Sequence, residues 1–279
     1  MKVLIIGANS MLGQEVIKQL LFNDVKNIVG VFNQNKNRIE QKINYLNINE
    51  IHQLKNDFDV VYLISAYIPK DTIERDKLFK VNVQLVQEIS SKFTNSKIIY
   101  SSTVSVYKPS QLVFENSDLE PINEYAISKL WGEKIVRNHN NYAIVRISSM
   151  YGVSMNCDTF LPFIIKKSIT ENKITLFGDG SRAQNYVHVS HVAKTLISAS
   201  KSTSETTFLA VSKSSYTNKE IAELIQKNLT TTPIISYQGI DNSPSFLYDN
   251  EKTVSTLKIK DTTSITKEIN ELIEWIKKS

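Results

Sequence analysis

The sequence predicts an α/β fold, a doubly wound parallel sheet with a smaller C-terminal lobe interleaved with it. Three observations carry the prediction: strand-length apolar runs that are continuous rather than alternating, amphipathic stretches between them, and a glycine turn directly after the first run. Continuous hydrophobicity marks strands buried on both faces, as in parallel sheets. Alternation of strand and helix folds into right-handed βαβ units.

The elements follow in order. Val3-Leu4-Ile5-Ile6 reads as the first strand, and residues 11–22, with Leu12, Val16, Leu20 and Leu21 on one face, as the first helix. Further strands are expected at Ile28–Phe32, Val60–Ile64, Ile98–Tyr100 and Ala143–Val145. Two helical stretches are apolar on more than one side. Residues 74–92 carry one stripe of Leu78, Val81, Leu85 and Ile89 and another of Phe79, Val83 and Val86. Residues 123–137 spread Ile127, Leu130, Trp131, Ile135 and Val136 in the same way. One stripe covers the sheet; the other asks for a second partner, and a homodimer interface is the expectation, with the chain's own C-terminal lobe as the alternative cover.

After residue 152 the pattern loosens: a helix from Phe160, a short strand at Ile174–Phe177, Val187–Val189 returning to the sheet, and helices over 218–228 and 264–277. The expected division is a dinucleotide-binding unit of residues 1–152, to which 186–213 return, and a substrate lobe of 153–185 and 214–279.

Composition narrows the function. With 41% hydrophobic and 22% charged residues the chain is globular rather than disordered. No apolar run approaches the ~20 residues of a membrane span, and the first run is too short for a signal peptide, so a cytoplasmic protein with no membrane partner is expected. One cysteine, Cys157, excludes an internal disulfide, and the four histidines lack ligand spacing, so no metal is expected. The net charge of +5 comes without a basic stripe interleaved with aromatics, which argues against nucleic acid and suits a small anionic ligand.

Glycine is scarce, eight in the chain where average usage would give about twenty, so its placement is informative. Gly7-Ala-Asn9-Ser10-Met11-Leu12-Gly13 leaves a strand and opens a helix, which sets backbone N–H groups and the helix dipole where a pyrophosphate can sit. This is the Rossmann-like arrangement for a dinucleotide, with Ser10 in place of the middle glycine and a hydroxyl able to donate to a phosphate or crowd it. After the second strand, Asn33 stands where a carboxylate would take the ribose 2′-hydroxyl of NAD, with Lys36 and Arg38 close behind. Two cations suit a 2′-phosphate, so NADP is expected, with NAD as the alternative.

Tyr125-Ala-Ile-Ser-Lys129 puts a phenol and an ammonium one helical turn apart. A phenol titrates near ~10, too high for a base at neutral pH, and an adjacent cation is expected to lower it. With twelve tyrosines and 33 basic residues, roughly one such spacing arises by chance. The supporting segment is Ser101-Ser102-Thr103, hydroxyls at the carboxyl end of a buried strand, at the mouth of the crevice.

At this point the chain resembles the extended short-chain dehydrogenase/reductases, the NAD(P)-dependent epimerase/dehydratase family of nucleotide sugars. The resemblance runs from Gly7 to about residue 257. It passes through Asp59–Ala66, Val81-Asn82-Val83, the Ser-Ser-Thr-x-x-Val-Tyr segment, Asn123-Glu-Tyr125-x-x-x-Lys129-x-x-Gly-Glu133, Arg146-x-x-x-x-Tyr151-Gly152 and Leu176–Val189. It implies that Tyr125 is the acid–base, that Thr103 hydrogen-bonds the substrate oxygen and that Lys129 holds the nicotinamide ribose. It places Ser65, Ala66, Asn82 and Ser148 along the cofactor, Asn47 and Ile48 at the adenine, and Tyr67, Thr103 and Ser149 at the substrate. The family's arginine for the sugar-nucleotide diphosphate falls at Gln184, with Arg182 two positions earlier available to substitute. The family pairs subunits through two helices, in line with the two-sided stripes.

Val104-Ser105 follows Thr103 where a dehydratase carries an Asp-Glu pair. The short chain and the missing acidic residue at Asn33 resemble the family's 4-keto sugar reductases. The expectation is therefore NADPH-dependent reduction of a 4-keto (6-deoxy) sugar nucleotide. An NAD-dependent nucleotide-sugar epimerase is the first alternative and a non-catalytic dinucleotide sensor the second.

Overall fold

The computed structural model describes residues 1–34, 43–69, 74–204, 206–260 and 262–278. Its strands are β1 (Lys2–Ile6), β2 (Asn27–Phe32), β3 (Asn44–Asn47), β4 (Val60–Leu63), β5 (Lys97–Thr103), β6 (Leu112–Val113), β7 (Tyr142–Ile147), β8 (Ser149–Tyr151), β9 (Lys173–Phe177), β10 (Ala183–His188), β11 (Thr207–Ala210), β12 (Ser215–Thr217), β13 (Ile234–Gln238) and β14 (Leu247–Tyr248). Its helices are α1 (Met11–Phe22), α2 (Arg75–Phe79), α3 (Leu85–Lys92), α4 (Glu124–Val136), α5 (Phe160–Thr170), α6 (Val189–Lys201), α7 (Asn218–Lys227), α8 (Glu251–Leu257) and α9 (Ile265–Lys277).

Among the described residues one seven-stranded sheet runs in the order β11-β7-β5-β4-β1-β2-β3, with every pairing parallel. The α/β, doubly wound class is therefore as the apolar runs predict. The chain winds outward from β1 in one direction through β2 and β3 and in the other through β4, β5, β7 and β11. A crevice opens at the carboxyl ends where the direction reverses, between β1 and β4.

Burial explains the continuous runs. Val3 and Ile5 pack with Val16 and Leu20 of α1 and Val192 and Leu196 of α6 on one face. Leu4 and Ile6 pack with Val86 and Ile89 of α3 and Val136 of α4 on the other. Because successive side chains point to opposite faces and both faces are covered, neither face tolerates polar residues. A separate core of Ile164, Leu176, Ile221 and Ile269 joins α5, β9, α7 and α9 into the C-terminal lobe.

Two readings change. Val187-His188 does not return to the main sheet; it ends β10, which pairs with β8 and β12 in a small sheet, and the main sheet closes instead on β11. A short apolar run has the same sequence whichever strand it meets, so only pairing decides. The stretch 74–92 is two α-helical pieces joined by a π-helical turn, Lys80–Gln84. Among the described residues, no helix is long and apolar enough to cross a membrane.

Candidate active site

The glycine turn lies at the crevice. Gly7 has φ +95, and the Gly7 and Ala8 amides donate to Val31 O of β2 at 2.9 and 3.0 Å. A Cβ on Gly7 would lie 2.8 Å from Ser65 N, and one on Gly13 would lie 2.3 Å from Gly7 O. Only hydrogen fits at either position, because the turn is wedged between the end of β4 and the start of α1. Ser10 caps that helix: its hydroxyl accepts from Gly13 N at 3.0 Å and donates to Gly7 O at 2.8 Å. The hydroxyl has one proton, and it is used inside the loop rather than aimed outward. Met11 and Leu12 open α1, where the helix cannot satisfy the amide groups and its dipole favours an anion.

The chemistry-bearing hydroxyls stand at the end of β5, all of whose residues are buried. Ser101 Oγ donates to Leu63 O at 3.2 Å, tying β5 to β4. Thr103 Oγ1 accepts from Ser105 N at 3.2 Å and donates to Ser105 Oγ at 3.1 Å, so a short 3-10 turn holds its rotamer. Opposite, Asn123 caps α4 by accepting from Ala126 N at 2.8 Å, which fixes the first turn where half-buried Tyr125 stands.

Lys129 follows one turn later and is only 1% exposed. Its Nζ lies 4.1 Å from the centre of the Tyr100 ring and has no hydrogen-bond partner among the described residues. Burial pulls this ammonium down to about 7, against the opposing charge of Glu133. Burial likewise pushes the Tyr125 phenol up to about 12. The expected lowering of the phenol by its lysine is not found: desolvation dominates both groups. Desolvation thus opposes charge on both groups, disfavouring the phenolate of Tyr125 and the ammonium of Lys129.

Tyr125, Lys129 and Thr103 line one cleft of about 630 Å³, within the usual range for small-molecule sites. Gly7, Asn9, Ser10, Met11 and Leu12 line its floor, with Ser65 and Ala66 from the end of β4. Ser148, Ser149 and Gln184 line the side toward the C-terminal lobe. The other expected residues stand back from it. Asn82, fully buried, accepts from Tyr67 N at 2.8 Å and donates to Tyr67 O at 2.9 Å and to Ser128 Oγ at 3.0 Å, bracing the segment after β4 against α4. Tyr67 turns its hydroxyl to Glu74.

Asn47 caps the turn that begins at Ile48 and donates to Asn33 O at 2.8 Å, so these three meet at the ends of β2 and β3. Arg182 lies with its guanidinium 4.0 Å from Asp241 and is not in the cleft wall. The Gln184 amide donates to Asn218 at 2.8 Å. Lys36 and Arg38 lie outside the described residues.

Several lining residues are not named as site residues from the sequence, among them Ile68, Met150, Met155, Phe160, Leu161 and Tyr186. Tyr186 is 4% exposed, lines the cleft, and its hydroxyl has no hydrogen-bond partner among the described residues. The available signal was its spacing, two residues after Gln184 and so on the same strand face. A further omission is Asn185, whose amide donates to Ser212 O at 2.8 Å and whose carbonyl accepts from Ser148 Oγ at 2.8 Å. It clips the lobe's small sheet to the end of β7.

A switch-point crevice, a glycine turn against a helix N-terminus and a tyrosine–lysine pair on one wall define a dinucleotide-dependent oxidoreductase. The partnerless Lys129 ammonium needs an oxygen acceptor, and the first amides of α1 need an anion, so the residues present fit such a cofactor. The chain belongs to the NAD dependent epimerase/dehydratase family, whose model matches residues 3–208, and it is an enzyme of that class. It is 25% identical over 224 residues to an uncharacterized UDP-glucose epimerase of Bacillus subtilis, covering 70% of this chain and 71% of the relative. It is 24% identical over 268 residues to a UDP-glucose 4-epimerase of Lactobacillus helveticus, covering 81% of each. The fold superposes on a UDP-glucuronic acid 4-epimerase from Bacillus cereus solved with NAD, with a TM-score of 0.86 at 21% identity, covering 100% of this chain and 99% of that one.

Proposed function

We propose that the protein epimerises a carbinol carbon of a nucleotide-linked sugar through a transient ketone, with NAD as the resident cofactor. The observation that carries this is the composition of the cleft: one acid–base, Tyr125, beside one orienting hydroxyl, Thr103, with Val104 and Ser105 next along the chain. Epimerisation needs one group that takes the carbinol proton and gives it back, whereas elimination of water needs a further acid and base. A bound nicotinamide dinucleotide supplies the hydride acceptor and donor.

Gly7, Asn9, Met11 and Leu12 cradle the pyrophosphate through their backbone, Ser10 shaping the loop. Lys129 donates to the ribose of the nicotinamide. Ser65, Ala66 and Ser148 line the dinucleotide, and Asn33, Asn47 and Ile48 stand toward its adenosine end. Thr103 orients the reacting oxygen while Tyr125 donates or accepts its proton. Ser149, Gln184 and Tyr186 face the nucleotide sugar. Residues 1–147 with α6 and β11 act as the dinucleotide unit, and the lobe of α5, β9, α7 and α9 with the small sheet of β8, β10 and β12 acts as the substrate unit.

Reduction of a 4-keto sugar nucleotide with NADPH is the second reading. It is favoured by one feature, the neutral Asn33 where a 2′-hydroxyl would be met by a carboxylate.

Two copies pair through α2 and α4. Phe79, Ile127 and Trp131 are 40%, 49% and 51% exposed, and the rings of Phe79 and Trp131 meet edge to face at 5.5 Å. They form one apolar ridge from the stripe that the sheet does not cover.

The deciding experiment incubates the purified protein with NAD and a panel of UDP- and dTDP-sugars and follows the sugar protons by NMR. Interconversion of epimers without net change in NAD is expected. Stoichiometric NADPH oxidation by 4-keto sugar nucleotides, with no epimer formed, would establish the second reading instead.

A further inference from the structure

Helix α4 carries a third titratable residue on the face of Tyr125 and Lys129. Glu133 stands one turn beyond Lys129 and is fully buried. Its carboxylate is held at both oxygens: Arg146 Nε donates to Oε1 at 2.9 Å and Arg146 Nη2 to Oε2 at 2.7 Å. Ser102 Oγ donates to Oε1 at 2.6 Å. Ser102 precedes Thr103 and lines the same cleft, so a single carboxylate ties the acid–base helix to the strand that presents the orienting hydroxyl. Arg146, 2% exposed, extends the chain: its Nη1 donates to Glu115 O at 3.3 Å, and Tyr107 stacks against its guanidinium at 4.5 Å. Glu115 Oε1 in turn accepts from Thr253 Oγ1 at 2.6 Å and Thr253 N at 3.0 Å, which brings in α8.

A buried ion pair of this kind is a weak source of stability, since desolvation offsets most of the attraction. Its placement calls for another account. Among the described residues Lys129 has no ion-pair or hydrogen-bond partner of its own; the charged or titratable groups toward it are Tyr125 and Glu133 on α4 and Tyr100 from β5, with Arg146 from β7 and Arg137 at the end of α4 on the Glu133 carboxylate at 2.7 and 3.7 Å. Of these Glu133 is the one carboxyl group.

We propose that Glu133 is a positioning residue for the reaction, the countercharge that keeps the Lys129 ammonium in place and the clamp that holds Tyr125, Lys129 and Thr103 in one register. The proposal rests on the function proposed above. Arg146 fixes the carboxylate geometrically, and Ser102 passes that geometry to the substrate oxygen site. The Glu133 charge opposes the desolvation of Lys129.

The test titrates Lys129 in the free protein by NMR of 13Cε-labelled lysine, the signal being assigned by its loss in Lys129→Met. The wild-type midpoint is expected at about 7. In Glu133→Gln it should fall by about one unit, roughly a tenfold weaker hold on the proton. The alkaline limb of kcat/KM, measured with UDP-glucose, should move down with it, and Glu133→Asp should restore both. Because Glu133→Gln leaves a buried guanidinium unpaired and can unfold the chain, Glu133→Gln/Arg146→Met is the second variant, with a smaller fall expected because the repelling guanidinium goes with the carboxylate. A midpoint unmoved in whichever variant folds, even with activity lost, would reduce Glu133 to a structural role and overturn the proposal. Failure of the wild-type protein to convert any nucleotide sugar would overturn the proposed function, and the titration is read independently of it.

Discussion

The two walls of the cleft are built differently. The wall at the glycine turn is backbone: Gly7 and Gly13 leave no space for a Cβ, Ser10 is spent on its own loop, and the groups left facing the crevice are amides of α1. The wall toward the C-terminal lobe is side chain: Ser149, Gln184 and Tyr186, with Arg182 turned aside to Asp241. Backbone donors serve a ligand part that is always the same, because their positions follow from the turn and not from side-chain identity. Side chains serve a part that differs between enzymes, because they can be exchanged without disturbing the sheet. Substitutions should therefore be tolerated better on the side-chain wall than on the backbone wall, and four experiments test that division.

Removing the Tyr125 hydroxyl stands first. Tyr125→Phe should lower kcat by roughly 10²–10⁴-fold while the dissociation constant for NAD, followed by fluorescence titration, stays within about twofold, since the phenol belongs to neither the backbone cradle nor its amides. Second comes the buried lysine between the walls. Its proton affinity in the fold is depressed to about 7 against ~10.4 for a free lysine. The unfolded chain therefore binds the extra proton between those values, and stability rises with pH across that window. Below the window the penalty is complete, on the order of 3–5 kcal/mol. Lys129→Met should thus raise the Tm of the free protein more at pH 6 than at pH 10, as calorimetry would show; a pH-independent gain would contradict a buried ammonium.

On the backbone wall, Gly13→Ala drives a Cβ into the Gly7 carbonyl. We expect NAD affinity to drop at least about tenfold, on the order of 1–2 kcal/mol, with substrate KM changed less. The smallest effect belongs to the opposite wall. Gln184→Arg should lower the KM for a UDP-sugar a few-fold, roughly the worth of one charge-assisted hydrogen bond, with kcat and NAD binding unchanged. A mutant that altered NAD affinity instead would break the division between the walls.

The legible parts of the site were those formed by neighbours in sequence. The turn Gly7–Gly13, the pair Tyr125 and Lys129, and the hydroxyls at 101–103 are local motifs, and each lies in the cleft where its motif puts it. Tyr186 and Asn185 were missed because their importance comes from which strands β10 meets, and a strand pattern does not name its partners. Arg182 and Gln184 illustrate the same limit: one just before β10 and one within it, they end up at different neighbours, Asp241 and Asn218.

By itself the sequence determined the fold class, since continuous apolar runs can be buried on both faces only in a helix-covered parallel sheet. It also determined the glycine turn and the tyrosine–lysine spacing, which local backbone geometry imposes. The tertiary structure alone decided the ionisation of the pair. The sequence argues for a phenol made more acidic by its lysine, but burial raises the one and lowers the other. The reason is physical: Coulomb attraction is legible from spacing, whereas the loss of solvent depends on every element packed around the site, and in this cleft desolvation outweighs the attraction.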